Sequence, residues 1–333
     1  MTGKKRIYYL DFARGLAVFF MVMQHAVLIH GQYAGEGSNV LGNILVLLGT
    51  APAAPVFMTV MGIFMAKSRA SGAALLKRGV LLFATGYLLN LLRFTLPLLI
   101  GGERSALPYF FYVDILQLAG LSFIVFAGIR ALTTKGPVIP VIIIAVLLLS
   151  PYLWNLPSCF PVGNPLWGGG EFVSFPLFPW IIYPLLGIFL SPHLARNDLS
   201  DKLRLKLLIS AVLLAAAGAA TFRFFPYGEY ERLGLGASLL IIAFVIGWLL
   251  LIEKIISGSE KIKNSRAAGV VYFWSMKVTN IYFLQWIIFG WSMLILDSNM
   301  LNENLAAAIG LAVMTVTDLL IRYTAVEKIL PSV

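Results

Sequence analysis

Long apolar runs, repeated along the whole chain and separated by short polar segments, constrain this sequence more than any other feature. A helix needs roughly 20 apolar residues to span a bilayer, and about ten runs approach that length. Only 12% of the residues are charged, against about 25% in ordinary soluble domains, which is too few for a surface surrounded by water. We therefore predict an all-α integral membrane protein of about ten transmembrane helices, with residues 1–333 forming a single polytopic domain. The predicted spans are 10–30, 41–65, 75–95, 111–131, 137–151, 176–191, 207–222, 236–256, 272–296 and 304–323.

Basic residues are distributed unevenly between alternate loops, and this asymmetry predicts the topology. Nineteen Lys and Arg residues fall in the two termini and the even-numbered loops, whereas the odd-numbered loops hold only Arg104, Arg223 and Arg232. Because basic loops stay in the cytoplasm, both termini are predicted to be cytoplasmic. The net charge of +10 therefore indicates orientation in a lipid bilayer and not nucleic-acid binding. The 19 residues are Lys4, Lys5, Arg6, Lys67, Arg69, Lys77, Arg78, Arg130, Lys135, Arg196, Lys202, Arg204, Lys206, Lys254, Lys261, Lys263, Arg266, Arg322 and Lys328.

Cysteine and histidine are too scarce for the common metal sites. The single cysteine, Cys159, excludes a disulfide framework and a cysteine-based metal site. No spacing of His, Asp and Glu is typical of a metal-binding motif, and His30 and His193 are expected in loops or at the interface. We therefore predict no bound metal.

The first predicted span carries Asp11, Arg14 and His25 within an apolar stretch, LDFARGLAVFFMVMQH. A charge at bilayer depth costs at least about 2.5 kcal/mol, so such residues usually face a protein interior or a cavity. Arg14 and His25 are eleven residues apart, close to three helical turns, and therefore share one face at a separation of roughly 16 Å. Asp11 precedes Arg14 by three residues, a spacing at which the two charges can pair.

Two interpretations fit this polar face. In the functional one, the His25 imidazole takes a proton from an acceptor hydroxyl or amine as that group attacks a thioester, or it carries the acyl group itself. In the structural one, Asp11 and Arg14 form an ion pair at the interface, and His25 only caps the helix near the headgroups.

Further polar side chains lie at membrane depth in the later spans. Asn90 and Arg93 are one helical turn apart, as are Asp114 and Gln117, and Arg93 and Asp114 are expected to pair near His25. Each alone fits a structural role, but so many polar groups cannot all face lipid. Together they predict a polar cavity inside the bundle. The other members of the set are Lys277, Asn280, Gln285 and Asp318.

Two segments near the membrane surfaces carry side chains suited to binding. Lys77 and Arg78 begin the third span from the cytoplasm and could hold a nucleotide phosphate, or they could simply anchor the span. Neither a Walker motif nor a dinucleotide-binding glycine pattern is present. Trp180 ends an aromatic, proline-rich segment that either caps a cavity or belongs to an interfacial belt.

The first span resembles that of the transmembrane acyltransferase superfamily, in which a D-x-x-R-G stretch precedes a histidine, with ten residues between the arginine and the histidine. Three later segments, LLKRGVLLFATGYLLNLL, VDILQLAGL and FPLFPWIIYPLLGIFL, are similar to the bacterial relatives of heparan-alpha-glucosaminide N-acetyltransferase and occur in the same order. The resemblance covers most of the first 190 residues. The sequence departs from the superfamily at Gln285, within NIYFLQW, where many members have a histidine.

The resemblance implies an acyl-CoA-dependent membrane acyltransferase, with acetyl-CoA as the expected donor, in a bacterial inner or plasma membrane. The donor would come from the cytoplasm, and a saccharide or sugar-like acceptor would bind outside. His25 would be the catalytic base or the acyl carrier, Arg14 would hold the donor, and Asp11 would orient Arg14. Lys77 and Arg78 are expected to assist donor binding. The expected acceptor-binding residues are Arg93, Asp114, Gln117, Trp180, Lys277 and Gln285.

Two other functional classes stay open at this point. A polytopic transporter or a lipid-carrier flippase also fits a polar-lined bundle with broken helices, although Arg14 and His25 are spread across the membrane and not gathered at one central site. A non-catalytic membrane partner is the third class. A homodimer is also consistent with the sequence.

Overall fold

The computed structural model describes residues 6–32, 39–132, 138–157, 161, 163–169, 171–224, 230–296 and 300–324, and these are almost entirely helical. The described residues contain no strand, only isolated bridges between Gly31 and Leu301 and between Val113 and Val173. This confirms the predicted all-α class. Five residues used in the predictions lie outside the described residues: Lys4, Lys5, Lys135, Cys159 and Lys328.

The chain divides into two compact units, each discontinuous in sequence. The α1 unit comprises Tyr8–Phe57, Leu89–Phe110 and Ile255–Val333, and the α11 unit comprises Met1–Ile7, Met58–Leu88 and Phe111–Lys254. In chain order the helices are α1 Tyr8–His30, α2 Val40–Thr50, α3 Ala54–Lys67, α4 Gly72–Asn90, α5 Leu96–Ile100, α6 Leu107–Phe110, α7 Ile115–Leu132, α8 Val138–Leu153, α9 Asn164–Trp167, α10 Leu177–Trp180, α11 Ile182–Leu194, α12 Asp201–Phe222, α13 Leu235–Gly258, α14 Glu260–Lys263, α15 Arg266–Met276, α16 Val278–Ser292 and α17 Glu303–Tyr323. A π-helix, Leu91–Thr95, joins α4 to α5, and a 3-10 turn, Tyr230–Arg232, precedes α13.

Among the described residues, seven helical segments are long and apolar enough to cross a membrane, fewer than the ten predicted. They are Tyr8–His30, Val40–Lys67, Gly72–Ile100, Leu177–Leu194, Asp201–Phe222, Leu235–Gly258 and Glu303–Tyr323. The predicted spans 111–131 and 137–151 fall on shorter apolar helices, Ile115–Ala131 and Val138–Leu153. The predicted span 272–296 is interrupted at Lys277, where the backbone leaves helical geometry between α15 and α16.

Within the α1 unit, α1 runs parallel to α15 and α16. Contacts ascend together along the two chains, from Arg14 with Ser275, through His25 with Gln285, to His30 with Ser292. The predicted topology also requires these helices to be parallel, because spans 10–30 and 272–296 are both predicted to start on the cytoplasmic side. The apolar residues of this interface form one core with α17: Val18, Val22, Ala26, Val278, Ile281, Phe289, Val313, Met314 and Ile321.

Proline interrupts the second predicted span, as the sequence indicates. Helix α2 ends at Thr50, residues 51–53 form a turn around Pro52, and α3 begins at Ala54. Gln24 of α1 donates from Nε2 to Thr50 Oγ1 at 2.6 Å. Thr50 Oγ1 in turn donates to the Val46 carbonyl oxygen at 2.7 Å. The last turn of α2 is therefore tied to α1 one residue before His25.

The α11 unit packs its helices through glycines and pairs a buried carboxylate with a partly exposed arginine. A Cβ at Gly187 of α11 would meet the Thr59 carbonyl oxygen of α3, so the two backbones touch. Glu253 of α13 is 0% exposed and accepts from Arg204 of α12 at both oxygens, from Nε at 2.9 Å and from Nη2 at 2.8 Å. The bidentate arrangement compensates for burial of the carboxylate charge.

Candidate active site

Asp11, Arg14 and Ser275 form a polar cluster between α1 and α15. Arg14 Nε donates to Ser275 Oγ at 2.8 Å, and Arg14 Nη2 lies 3.3 Å from Asp11 Oδ1. Ser275 Oγ donates to the same Asp11 oxygen at 3.2 Å. The predicted pairing of Asp11 with Arg14 is confirmed, and Ser275, which sequence reasoning missed, completes a closed triangle of hydrogen bonds.

The residue that follows Arg14 is Gly15, and the packing of α1 on α15 requires a glycine at this position. A Cβ at this position would meet the carbonyl oxygen of Val271 in α15 and would lie 2.7 Å from the Val271 Cγ1. The α1 and α15 backbones therefore approach each other more closely than any larger residue permits. This approach brings Arg14 within hydrogen-bonding distance of Ser275.

His25 lies about three helical turns further along α1 and contacts two consecutive residues of α16. Its Nδ1 is 3.2 Å from Gln285 Oε1. Its ring centroid lies 4.3 Å from that of Trp286, with the ring planes inclined by 40°. The His25 side chain is half-buried, whereas Gln285 is 0% exposed. One side of the imidazole is thus held by an amide and an indole.

Arg93 approaches the same indole from the π-helix. The guanidinium carbon lies 4.3 Å from the Trp286 ring centroid and 4.4 Å from that of Phe94. Asn90 Oδ1 accepts from Arg93 Nε at 3.3 Å and from Nη2 at 3.0 Å. Arg93 is 0% exposed, and cation–π contacts of a desolvated guanidinium contribute about 2 kcal/mol. Trp286, which sequence reasoning missed, therefore connects the predicted residues Arg93 and His25.

Gly290 allows the π-helix to pack directly on α16. A Cβ at Gly290 would meet the Arg93 carbonyl oxygen and would lie 2.8 Å from its carbonyl carbon. Trp291 Nε1 donates to the Leu92 carbonyl oxygen at 3.1 Å, which satisfies a backbone acceptor in this irregular turn. π-helical turns are frequent at functional sites because they re-aim side chains.

Two other polar residues of the α1 unit have structural contacts. Lys277 is half-buried at the junction of α15 and α16, and its backbone N–H donates to the Phe273 and Trp274 carbonyls. Asp318 accepts from Trp274 Nε1 at 2.8 Å and pairs with Arg322 at 2.5 Å. His30, expected in a loop or at the interface, is the last residue of α1 and is 0% exposed, with Nε2 2.9 Å from Ser292 Oγ. Its depth in the membrane stays a prediction.

Asp114 and Gln117 belong to the α11 unit, where they cap α7. The Asp114 backbone N–H donates to Gln117 Oε1 at 3.1 Å. Asp114 Oδ1 accepts from the Ile115 N–H at 2.7 Å, and Gln117 Nε2 donates to the Tyr112 carbonyl oxygen at 3.1 Å. Asp114 followed three residues later by Gln117 resembles a capping box. The expected pair between Arg93 and Asp114 stays a prediction.

Trp180, Lys77 and Arg78 also belong to the α11 unit. Trp180 is 0% exposed and donates from Nε1 to the Glu231 carbonyl oxygen at 3.0 Å, so it is part of the interior of this unit. Lys77 is exposed on α4, and Arg78 is half-buried with its guanidinium 5.6 Å from the Phe123 ring centroid.

Within the described ranges, no group of three or more His, Cys, Asp or Glu side chains is arranged to hold a metal ion. In the α1 unit, the described residues include an imidazole with a fixed amide partner and an arginine with carboxylate and hydroxyl partners. The two clusters are separated along α1 by eleven residues, roughly 16 Å.

Comparison with known proteins identifies the family. The family model for heparan-alpha-glucosaminide N-acetyltransferase, catalytic, matches residues 6–225. These residues include the whole of α1, the π-helix and α7. A search of curated proteins gives no match. Since the matched region is well over half of the 333 residues, the chain belongs to the heparan-alpha-glucosaminide N-acetyltransferase catalytic family of membrane acyltransferases.

Proposed function

We propose that this protein transfers an acyl group, most simply acetyl, from acyl-CoA on the cytoplasmic side of the membrane to a saccharide acceptor on the other side. The observation that carries the proposal is the half-buried imidazole of His25, held by Gln285 and Trp286 on a membrane-spanning helix. A histidine fixed in this way is suited to general base or nucleophilic catalysis. The family name supplies the class of acceptor, a glucosaminide whose amine is acetylated.

His25 would act on the acceptor at the moment of transfer. In the direct route, the imidazole removes a proton from the acceptor amine or hydroxyl while that atom bonds to the thioester carbonyl carbon, and the carbon–sulfur bond breaks to release CoA. In the two-step route, the imidazole nitrogen first bonds to the acyl carbon and releases CoA, and the acceptor then displaces the imidazole. In both routes the same ring nitrogen reacts, and the acyl group moves from the sulfur of CoA to the acceptor atom.

Arg14 would hold the donor at the cytoplasmic end of α1. Its guanidinium already has Asp11 and Ser275 as partners, which fix its plane and leave it oriented for a phosphate or carbonyl oxygen of the donor. Lys77 and Arg78 belong to the α11 unit, and their part in donor binding stays a prediction from the resemblance. The acyl group would then have to cross roughly 16 Å, close to the reach of an extended pantetheine arm, to approach His25.

The acceptor would bind at the end of α1 that carries His25. The Trp286 indole contacts both the Arg93 guanidinium and the His25 imidazole. Aromatic rings beside a guanidinium are suited to the apolar face and the hydroxyl groups of a sugar. Lys277 and Gln285 belong to the same unit. Asp114, Gln117 and Trp180 belong to the α11 unit, and their part in acceptor binding stays a prediction from the resemblance.

A polytopic transporter or flippase is the second candidate, because helical breaks are typical of transport sites. The described part of the α1 unit departs from regular α-helix at three places: the turn at 51–53, the π-helix at 91–95 and the junction at Lys277. A transporter has no need for a donor that binds on one side only. Binding of acyl-CoA therefore separates the two candidates.

The test compares wild type with His25→Ala and with His193→Ala, whose histidine is exposed on α11. Each purified protein receives radiolabelled acetyl-CoA and a panel of amino sugars and hydroxyl sugars. We expect the transfer rate of His25→Ala to fall about 10²–10⁴-fold, while its melting temperature still rises with acetyl-CoA. We expect His193→Ala to match wild type in both measurements. No thermal response to acetyl-CoA in any of the three proteins would favour the transporter.

A further inference from the structure

The contacts of Gln285 give it a definite role. The residue is 0% exposed and lies on α16, which runs parallel to α1. Its Nε2 donates to the Tyr282 carbonyl oxygen at 3.3 Å, one turn earlier in the same helix. Because that bond uses the amide nitrogen, the amide oxygen is the atom directed at His25.

The orientation of the Gln285 amide determines where the hydrogen of the His25 imidazole sits. An amide oxygen only accepts hydrogen bonds, so the contact of 3.2 Å between Oε1 and His25 Nδ1 requires a hydrogen on Nδ1. In a neutral imidazole the lone pair is then on Nε2. Nε2 is therefore the nitrogen that can accept a proton or attack a carbonyl carbon.

Trp286 restricts the same ring in a second direction. Its indole lies against the imidazole and is itself held by Arg93 and, edge to face, by Phe94 at 5.9 Å between centroids. Rotation of the imidazole about its Cβ–Cγ bond would break the amide contact and change its packing against the indole. Two consecutive residues of α16 thus fix both the tautomer and the plane of the ring.

We propose that Gln285 is a positioning residue, which holds His25 as the Nδ1–H tautomer so that Nε2 is the reactive nitrogen. The proposal rests on the proposed function for its catalytic consequence, but the tautomer itself is measurable without any activity. It replaces the expectation that Gln285 binds substrate: the amide acts through His25, using both its nitrogen and its oxygen inside the protein.

A packing role and a positioning role predict opposite orders of activity among Gln285 variants. Gln285→Met keeps the volume and apolar packing but provides no oxygen for Nδ1–H. Gln285→Glu provides the oxygen but introduces a buried charge. If Gln285 positions His25, transfer falls about 10²-fold in the Met variant, with the acetyl-CoA KM unchanged, and the Glu variant recovers most of the loss. If Gln285 only packs, the Met variant is the more active of the two.

The contact between Ser292 and His30, further along the same two helices, provides a matched control. Ser292 of α16 contacts His30 of α1 as Gln285 contacts His25, so Ser292→Ala removes an equivalent bond between the same two helices. We expect Ser292→Ala to transfer at the wild-type rate. A loss as large as that in Gln285→Met would mean that any α1–α16 bond matters, and would overturn the specific role of Gln285.

The tautomer is read by nuclear magnetic resonance on protein labelled with ¹⁵N at histidine, since the chain has only three histidines. The His25 signals are assigned by their loss in His25→Ala. We expect a protonated Nδ1 and a bare Nε2 in wild type and in Ser292→Ala, and a change toward the other tautomer in Gln285→Met. A protonated Nε2 and a bare Nδ1 in wild type would overturn the proposal, whether or not the protein proves to be an acyltransferase.

Discussion

Gly15 provides a direct test of the close contact that brings Arg14 to Ser275. The added Cβ of Gly15→Ala would lie 2.7 Å from the Val271 Cγ1 and 2.9 Å from the Val271 carbonyl carbon, against ordinary contacts of 3.4–4 Å. The Val271 carbonyl oxygen is closer still. Helices α1 and α15 must therefore separate by roughly 1 Å, because two of the three obstructing atoms, the Val271 carbonyl oxygen and carbon, are backbone atoms that cannot rotate away.

The size of the effect follows from that separation. The 2.8 Å bond from Arg14 Nε to Ser275 Oγ would lengthen to about 3.8 Å, which is no longer a hydrogen bond. Overpacking lowers stability by about 1–3 kcal/mol. The higher helix propensity of alanine offsets about 1 kcal/mol of this loss. A misplacement of about 1 Å in a binding group costs around 10²-fold in rate. We expect a small loss of stability and a large loss of donor-dependent transfer.

Gly269→Ala is the control, because a Cβ at Gly269, on the same helix α15, would have nothing within 4 Å. Thermal unfolding of both variants is followed with and without acetyl-CoA, together with the transfer rate. Gly269→Ala should match or slightly exceed wild type in stability and should keep the donor-dependent shift. If Gly15→Ala behaves like Gly269→Ala in both measurements, the account of the α1–α15 contact is refuted.

Three further outcomes are expected in other parts of the chain. Arg204→Met leaves the buried Glu253 carboxylate without its bidentate partner and should lower stability by about 1–3 kcal/mol. Adding Glu253→Gln should recover most of that loss in the same denaturation experiment. An Arg204→Met protein as stable as wild type would contradict this expectation. Arg93→Lys keeps the charge but loses the planar contact with Trp286, so we expect roughly tenfold slower transfer with unchanged helical circular dichroism, whereas full activity would exclude a role for the planar group. Asp114→Ala removes the cap of α7 and should cost about 1 kcal/mol in thermal unfolding; an unchanged melting temperature would show that Gln117 caps the helix without it.

The features of the fold that depend on local sequence could be predicted. Apolar run length predicted the helices, and the break between α2 and α3 falls at Pro52, a residue that disfavours helix. The i to i+3 spacing predicted the pairing of Asp11 with Arg14. The count of about ten spans stays a prediction, with seven full-length candidates among the described residues. Apolar content does not reveal where a helix is interrupted, and at Lys277 the interruption involves neither proline nor glycine.

The features of the site that depend on helix register could not be predicted. Ser275 and Trp286 carry no signal of their own, since a serine and a tryptophan in an apolar span are ordinary residues. They become partners of Arg14 and His25 only because α1 lies parallel to α15 and α16 in one particular register. The glycine after Arg14 was a weak indication of that close approach.

The central claim is that His25 is required for acyl transfer from a donor on one side of the membrane to an acceptor on the other. The most direct measurement uses sealed proteoliposomes with radiolabelled acetyl-CoA supplied outside and glucosamine enclosed inside, for wild type, His25→Ala and His193→Ala. The account predicts labelled acetylglucosamine inside vesicles of wild type and of His193→Ala, and none above background with His25→Ala. Equal labelling by wild type and His25→Ala, or label that accumulates only as intact acetyl-CoA, would contradict it.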